Sequence, residues 1–374
     1  MTGDVTYLYA YDIATEADLG AIETKLRGTA QWFRFGRSKD APRNFPSYRP
    51  LLLQLDDVQI DGPLGPMTLS TSIKLFSVGA ISVNVGAMVS CDHISDLVAL
   101  RSLTIKEDTT LDDRIREIAQ RLLETIRPQL DSPVETVGEP EVYTIFRIDR
   151  PATAGATARH DEERALEDWL GRHEREIAAL LVGETEAANL SPQEVRETLM
   201  HRYSYYCTDA TIVDWDAAFL VDTPEGCRDI LYVIEVANLQ LEELKVYDAE
   251  LDKVLDKAYD DVEATSRPHT FHQRQQVLAG LREIRMDLMR VTDELSNITK
   301  FIGDWHVARV YMGCVARFHL SQWQDMVSQK LRSLDSLYTM TQQDSTNRAM
   351  LILEMSIVAL FVIDVIVIVA LGVK

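Results

Sequence analysis

Residues 70–90 read STSIKLFSVGAISVNVGAMVS. Apolar and polar residues alternate through this stretch, and its glycines punctuate it, so the pattern predicts two strands joined as a hairpin. Neighbouring stretches agree. Val5 to Ile13 (VTYLYAYDI) is aromatic and β-branched, Leu51 to Ile60 alternates, and Glu141 to Ile148 (EVYTIFRI) reads as a further strand. Helical patterns at Thr15–Arg27 and Thr109–Arg127 separate these strands, and residues 36–50 read as loop. The first 150 residues thus form a mixed α/β domain.

Residues 151–158, PATAGATA, have linker composition. Residues 159–223 then complete the soluble head with a helix from about His160 to Leu181, a capped short helix and an extended segment at Ile212–Val221. Ser191-Pro192-Gln193-Glu194 supplies the cap, with serine before the first turn and proline at its first position. The same logic marks Asp222, Thr223 and Pro224 as the start of a long helix.

All twelve prolines lie between Pro42 and Pro268, so the chain beyond is free to be helical. Ile234, Ala237, Leu241, Leu244, Asp248, Leu251, Leu255, Ala258 and Val262 follow a 3–4 spacing, a heptad seam. The spacing resumes at Val277 and includes Leu281, Ile284, Leu288, Leu295 and Trp305. Arg309, Met312, Ala316, His319, Trp323 and Met326 continue it, and Val327, Leu331, Leu334 and Tyr338 carry a seam shifted by one residue. Residues 225–267 hold twelve acids and five bases, and residues 269–348 eight acids and ten bases. This asymmetry predicts that residues 224–348 form a long antiparallel helical hairpin or coiled coil that self-associates.

Residues 349–374 predict a C-terminal membrane anchor. Met355 to Val373 carry Asp364 as their only charge, and at about 1.5 Å per residue they match a bilayer core. Glu354 and Asp364, ten residues apart, share a broad helical face, which assigns them to membrane packing. With no basic or apolar N-terminal leader, the sequence predicts a single-pass inner-membrane protein with a cytoplasmic N-terminal domain. The overall expectation is an α+β protein with one transmembrane helix, the lipid bilayer and further copies of itself being its partners.

The formal charge of −21 excludes a basic nucleic-acid groove, so no direct nucleic-acid partner is expected. The four cysteines are spread far apart and form no C-x-x-C pair. Nucleotide-cradling glycine loops, H-E-x-x-H and G-x-S-x-G are absent from the sequence. No catalytic residue, metal or cofactor is expected. One alternative stays open: a membrane-bound, metal-dependent hydrolase built on Asp214 and Asp216, which a strand would point to one face, with His269 and His272 beside Asp260, Asp261 and Glu263.

Several segments resemble the required-for-meiotic-nuclear-division family, which carries a domain of unknown function. They are Ile73–Val89, Tyr203–Phe219, Phe219–Leu241, Leu353-Glu354 and Ile363-Asp364. The resemblance implies a membrane-anchored, oligomeric, non-enzymatic scaffold. It also implies support of membrane-associated translation or envelope organisation, this chain being a bacterial relative facing the cytosol.

Overall fold

The computed structural model describes residues 1–33, 49–106, 109–149, 159–263, 286 and 305–371. Strands in chain order begin with β1 (Thr2–Asp12), β2 (Glu16–Ala17), β3 (Ala30–Trp32), β4 (Leu51–Gln54) and β5 (Val58–Gly62). They continue with β6 (Gly65–Leu75), β7 (Ala80–Ser90), β8 (Thr104–Lys106), β9 (Thr109–Thr110) and β10 (Leu130–Asp131). The last are β11 (Glu141–Ile148), β12 (Arg202–Tyr203), β13 (Ala210–Val213) and β14 (Ala217–Val221). The helices are α1 (Leu19–Lys25), α2 (Leu111–Ile126), α3 (Arg159–Val182), α4 (Pro192–Thr198), α5 (Arg228–Glu263), α6 (Trp305–Arg317) and α7 (Leu320–Leu371). The mixed α/β class expected from the sequence is therefore present, with a large sheet and several helices.

Two compact units result, one of residues 1–246 with 287–324 and one of residues 247–286 with 325–374. The first holds a ten-stranded sheet of order β12-β13-β14-β11-β1-β7-β6-β4-β3, with β5 paired to β6. The strand pair predicted in residues 70–90 is the β6–β7 hairpin, registered Leu75↔Ile81 through Leu69↔Ala87. The central strand β1 lies antiparallel between β7 and β11, and β11 runs parallel to β14.

Strand alternation gives the sheet two different faces. Val5, Tyr7, Tyr9, Tyr11 and Ile13 join the main core with the buried stripe of α2 and with Leu166, Leu170 and Ile177 of α3. The tyrosine hydroxyls are tied in: Tyr7 donates to the Leu100 carbonyl at 2.5 Å and Tyr9 to Asp112 at 2.7 Å. Helix α2 starts on a reciprocal cap between Thr110 and Asp113, and α4 starts on Ser191, which accepts from the Glu194 N–H at 3.1 Å. The opposite face of the sheet carries α5 and the Phe318 ring beyond α6, which meets Tyr143 edge-on at 5.1 Å.

Within the second unit, Lys330 of α7 reaches Asp248 and Asp252 of α5, each at 2.6 Å. Leu251, Val327, Leu331 and Leu334 are buried there. Helix α7 begins after a break at His319, whose φ is +53°.

The predicted membrane anchor requires correction. Among the described residues no helix is long and apolar enough to cross a membrane. Glu354 borders the apolar run of α7 and Asp364 sits in its middle, a charge that is costly within a bilayer core. The transmembrane helix, the tail anchor of residues 349–374, the lipid-bilayer partner and the single-pass inner-membrane location lose their support with it. The expected helix start is also displaced. Thr223 lies ahead of a turn formed by residues 224–227, and α5 begins only at Arg228.

The β6–β7 turn rests on Gly79. Its φ is +83°, and its carbonyl accepts from the N–H groups of Ile13 and Ala14 at 3.0 and 3.1 Å. A Cβ there would lie 1.7 Å from the Ala14 carbonyl oxygen. Gly79→Ala is therefore expected to lower unfolding stability by about 2–3 kcal/mol in urea titration. An unchanged midpoint would show that the turn does not constrain β1 against the hairpin.

Candidate functional site

The carboxylates of the Asp214-Trp215-Asp216 motif do not form a pair on a strand face. Residues 214–216 are the hairpin turn between β13 and β14, closed by the Asp214 N–H donating to the Ala217 carbonyl at 2.9 Å. Asp214 is buried and takes the Arg317 guanidinium at two nitrogens, Nε at 2.6 Å and Nη2. Burial raises its pKa and Arg317 opposes that rise. The Tyr143 hydroxyl donates to the Asp214 carbonyl at 2.9 Å. Asp216 points outward with its side chain 60% exposed, 4.0 Å from Arg101. Trp215 is partly exposed and lies 5.4 Å from the His319 ring. This arrangement locks α6 to a turn. His269 and His272, the other residues of the hydrolase alternative, lie outside the described residues. Among the described residues no group of three or more His, Cys, Asp and Glu is placed to hold a metal ion.

The densest polar chemistry sits instead between α5 and the sheet. Glu235, Asn238, Glu242 and Lys245 are spaced 3-4-3 along α5, so they form one row on the helix. Lys74 of β6 pairs with Glu235, which is 2% exposed, while Asn84 of β7 donates to the same carboxylate at 3.0 Å. Ser82 donates to the Asn84 amide oxygen at 2.9 Å. The Lys74 ammonium lies 4.8 Å from the Phe33 ring centre and 5.4 Å from that of Tyr232, and these rings stack at 5.2 Å. Further along the row, Asn238 donates to the Glu141 carbonyl at 3.1 Å and Lys245 pairs with the Glu141 carboxylate. Burial, followed by repulsion from Glu141 and Asp12, raises the Glu242 pKa to about 8, against the pull of Lys245.

Sequence reasoning missed this row, although a signal was present. The seam residues Ile234, Leu241 and Leu244 are buried, but so are Glu235, Asn238 and Glu242 one position over, because this half of α5 is largely enclosed. A second 3–4 row of polar residues beside an apolar one signals a helix covered on both faces. Lys74 was hidden by the opposite effect, since Ser70, Ser72 and Lys74 read as the solvent side of an alternating strand.

Asp222, Thr223 and Pro224 adjoin a second polar knot. Arg147, 1% exposed, donates from Nε to Asp4 at 2.5 Å and from Nη1 to Asp149 at 2.7 Å and to the Asp222 carbonyl at 2.9 Å. Asp222 accepts from the Thr223 N–H at 2.7 Å, and the Thr223 hydroxyl accepts from the Gly226 N–H at 3.2 Å. Farther along the chain, Leu251 is buried and Leu255 half-buried. Leu281, Ile284, Leu288 and Leu295 lie outside the described residues, as does the side chain of Asp364. Glu354 is exposed. Around it α7 presents an apolar surface that includes Leu353, Met355, Ile357, Val358, Leu360 and Phe361, the last 70% exposed.

The family described as "Uncharacterized protein MJ0711, N-terminal domain" matches residues 2–228, and the chain belongs to that family. The uncharacterized protein MJ0711 of Methanocaldococcus jannaschii is 26% identical over 176 residues, which cover 47% of this chain and 54% of that protein. The chain thus spans about half the length of the curated relative it matches. No solved structure matches it. These findings overturn the resemblance to the required-for-meiotic-nuclear-division family. The segments that carried it are short elements, such as the β6–β7 hairpin and the turn before α5, whose patterns arise from local structure in many folds.

Two measurements probe the α5 row. Glu235→Ala leaves Lys74 buried without its partner and is expected to cost about 3–5 kcal/mol, whereas Lys74→Met combined with Glu235→Leu costs far less. Equal losses for the single and double variants would contradict the pairing. For Glu242, the folded protein keeps a proton that the unfolded chain releases, so its contribution makes stability fall as pH rises from about 4.5 to about 8. Glu242→Gln removes that fall, and the variant exceeds the original protein in denaturant midpoint at pH 8 but not at pH 4. A stability difference independent of pH would refute the assignment.

Proposed function

We propose that the chain is a non-catalytic scaffold that self-associates through the apolar part of α7. The exposed apolar surface between Met350 and Val367 carries this reading. Met355, Ile357, Val358, Leu360 and Ile363 are exposed and lie on different sides of the helix at about 100° per residue, so the surface is not a single stripe. A helix that is apolar all round is one that other elements enclose. An exposed patch of this kind marks an association surface. Further copies of the same helix supply matching apolar surface in a symmetric bundle, the commonest form of protein assembly.

The non-catalytic part of the proposal draws on the ionic groups of the first unit. Lys74 with Glu235, Lys245 with Glu141, Arg317 with Asp214 and Arg147 with Asp4 and Asp149 each join one element to another. Their charges serve to hold helices and strands in place.

Ile357→Lys with Phe361→Lys places two charges in the proposed contact. Amine-directed crosslinking of the full chain is expected to trap multimers of the original protein and to leave the double variant monomeric. Circular dichroism confirms that both keep the same helix content. Multimers that persist unchanged in the variant would refute the role of α7.

A further inference from the structure

A cavity of about 770 Å³ lies between α2 and strands β4, β5 and β6. Its sheet wall includes Leu53, Leu69 and Ile73, and its helix wall Ile115, Ile118 and Leu122. The space opens to solvent and falls within the roughly 300–1,000 Å³ typical of small-molecule sites. Its lining is predominantly apolar, so water gains few hydrogen bonds there.

The charges around the cavity are unevenly placed. Arg114 and Arg121 both line the α2 side and share one carboxylate, Glu117, at 3.5 and 3.3 Å. Lys25 adds a third cation, donating to the carbonyl of Thr125, which also lines the cavity, and to Gln129 at 3.1 Å. Asp56 lies on the sheet side. The α2 side of the lining thus holds two arginines and one carboxylate, with Lys25 beyond it and Asp56 facing them from the sheet side.

We propose that this cavity binds an amphiphile with an apolar chain and a single anionic headgroup. The chain lies between Leu69 and Ile118, and the headgroup meets Arg114 and Arg121. A carboxylate suits this rim because arginine forms paired hydrogen bonds to it. A phosphate monoester offers similar chemistry and is the competing source.

The test uses the purified full chain and dansyl-undecanoic acid, whose fluorescence rises in an apolar site. Dodecanoic acid, dodecyl phosphate and 1-dodecanol serve as competitors. The expected result is saturable binding displaced by dodecanoic acid, with the alcohol weaker by about tenfold or more. Dodecyl phosphate displacing more tightly than dodecanoic acid would overturn the carboxylate assignment. Ile118→Trp, at a half-exposed wall position, fills the space and abolishes saturable binding while circular dichroism is unchanged. Arg121→Gln narrows the difference between acid and alcohol. Absence of saturable binding overturns the proposal. So does binding that Ile118→Trp leaves intact, because the probe would then be held elsewhere, for instance on the apolar surface of α7.

Discussion

The buried pair of Lys74 and Glu235 is the constraint on which the first unit turns. Two charges taken out of water are costly unless each is matched, and this pair is matched on every side. Asn84 and Ser82 extend it across β7, while Phe33 and Tyr232 enclose the ammonium. A pair of this kind adds little net stability compared with an apolar contact of the same shape. It adds register. Only one placement of α5 brings Glu235 over Lys74, Asn238 over the Glu141 carbonyl and Lys245 over the Glu141 carboxylate. A purely apolar face would tolerate sliding, because hydrophobic contact has no direction.

That placement organises the rest of the unit. The sheet presents its tyrosine-rich face to α2 and α3, and gives the other face to α5. Arg147 ties the edge of β11 to the turn that precedes α5, and Arg317 ties the end of α6 to the β13–β14 turn. Asp214, which looked like chemistry in the sequence, is thus a fastening between elements. Glu242 is the exception in kind: its carboxyl sits among Glu141 and Asp12, so this fastening weakens as its proton is lost.

The strands and capped helices were legible because their signals are local. Alternation defined β6 and β7, the aromatic run defined β1, EVYTIFRI defined β11 residue for residue, and Ser191 announced α4. The readings that failed depended on neighbours that a sequence does not place. A strand would have pointed Asp214 and Asp216 to one face, yet a tight turn sends one into the protein and the other out. Lys74, on the side of β6 that alternation makes polar, is covered by α5. The apolar run near the C-terminus suggested a membrane span, yet among the described residues no helix is long and apolar enough to cross a membrane. The family relationship covers residues 2–228, and the motifs singled out for a different family were features of hairpins and helix starts.

Among the described residues, α7 leaves an extended apolar surface exposed in a single chain, and burial of apolar area is worth roughly 25 cal/mol per Å². A scaffold that assembles through it resolves that cost. Sedimentation equilibrium of the unmodified full chain at micromolar concentration measures this most directly. The expected mass is at least twice that of the single chain. A single-chain mass that holds across the concentration range would contradict it.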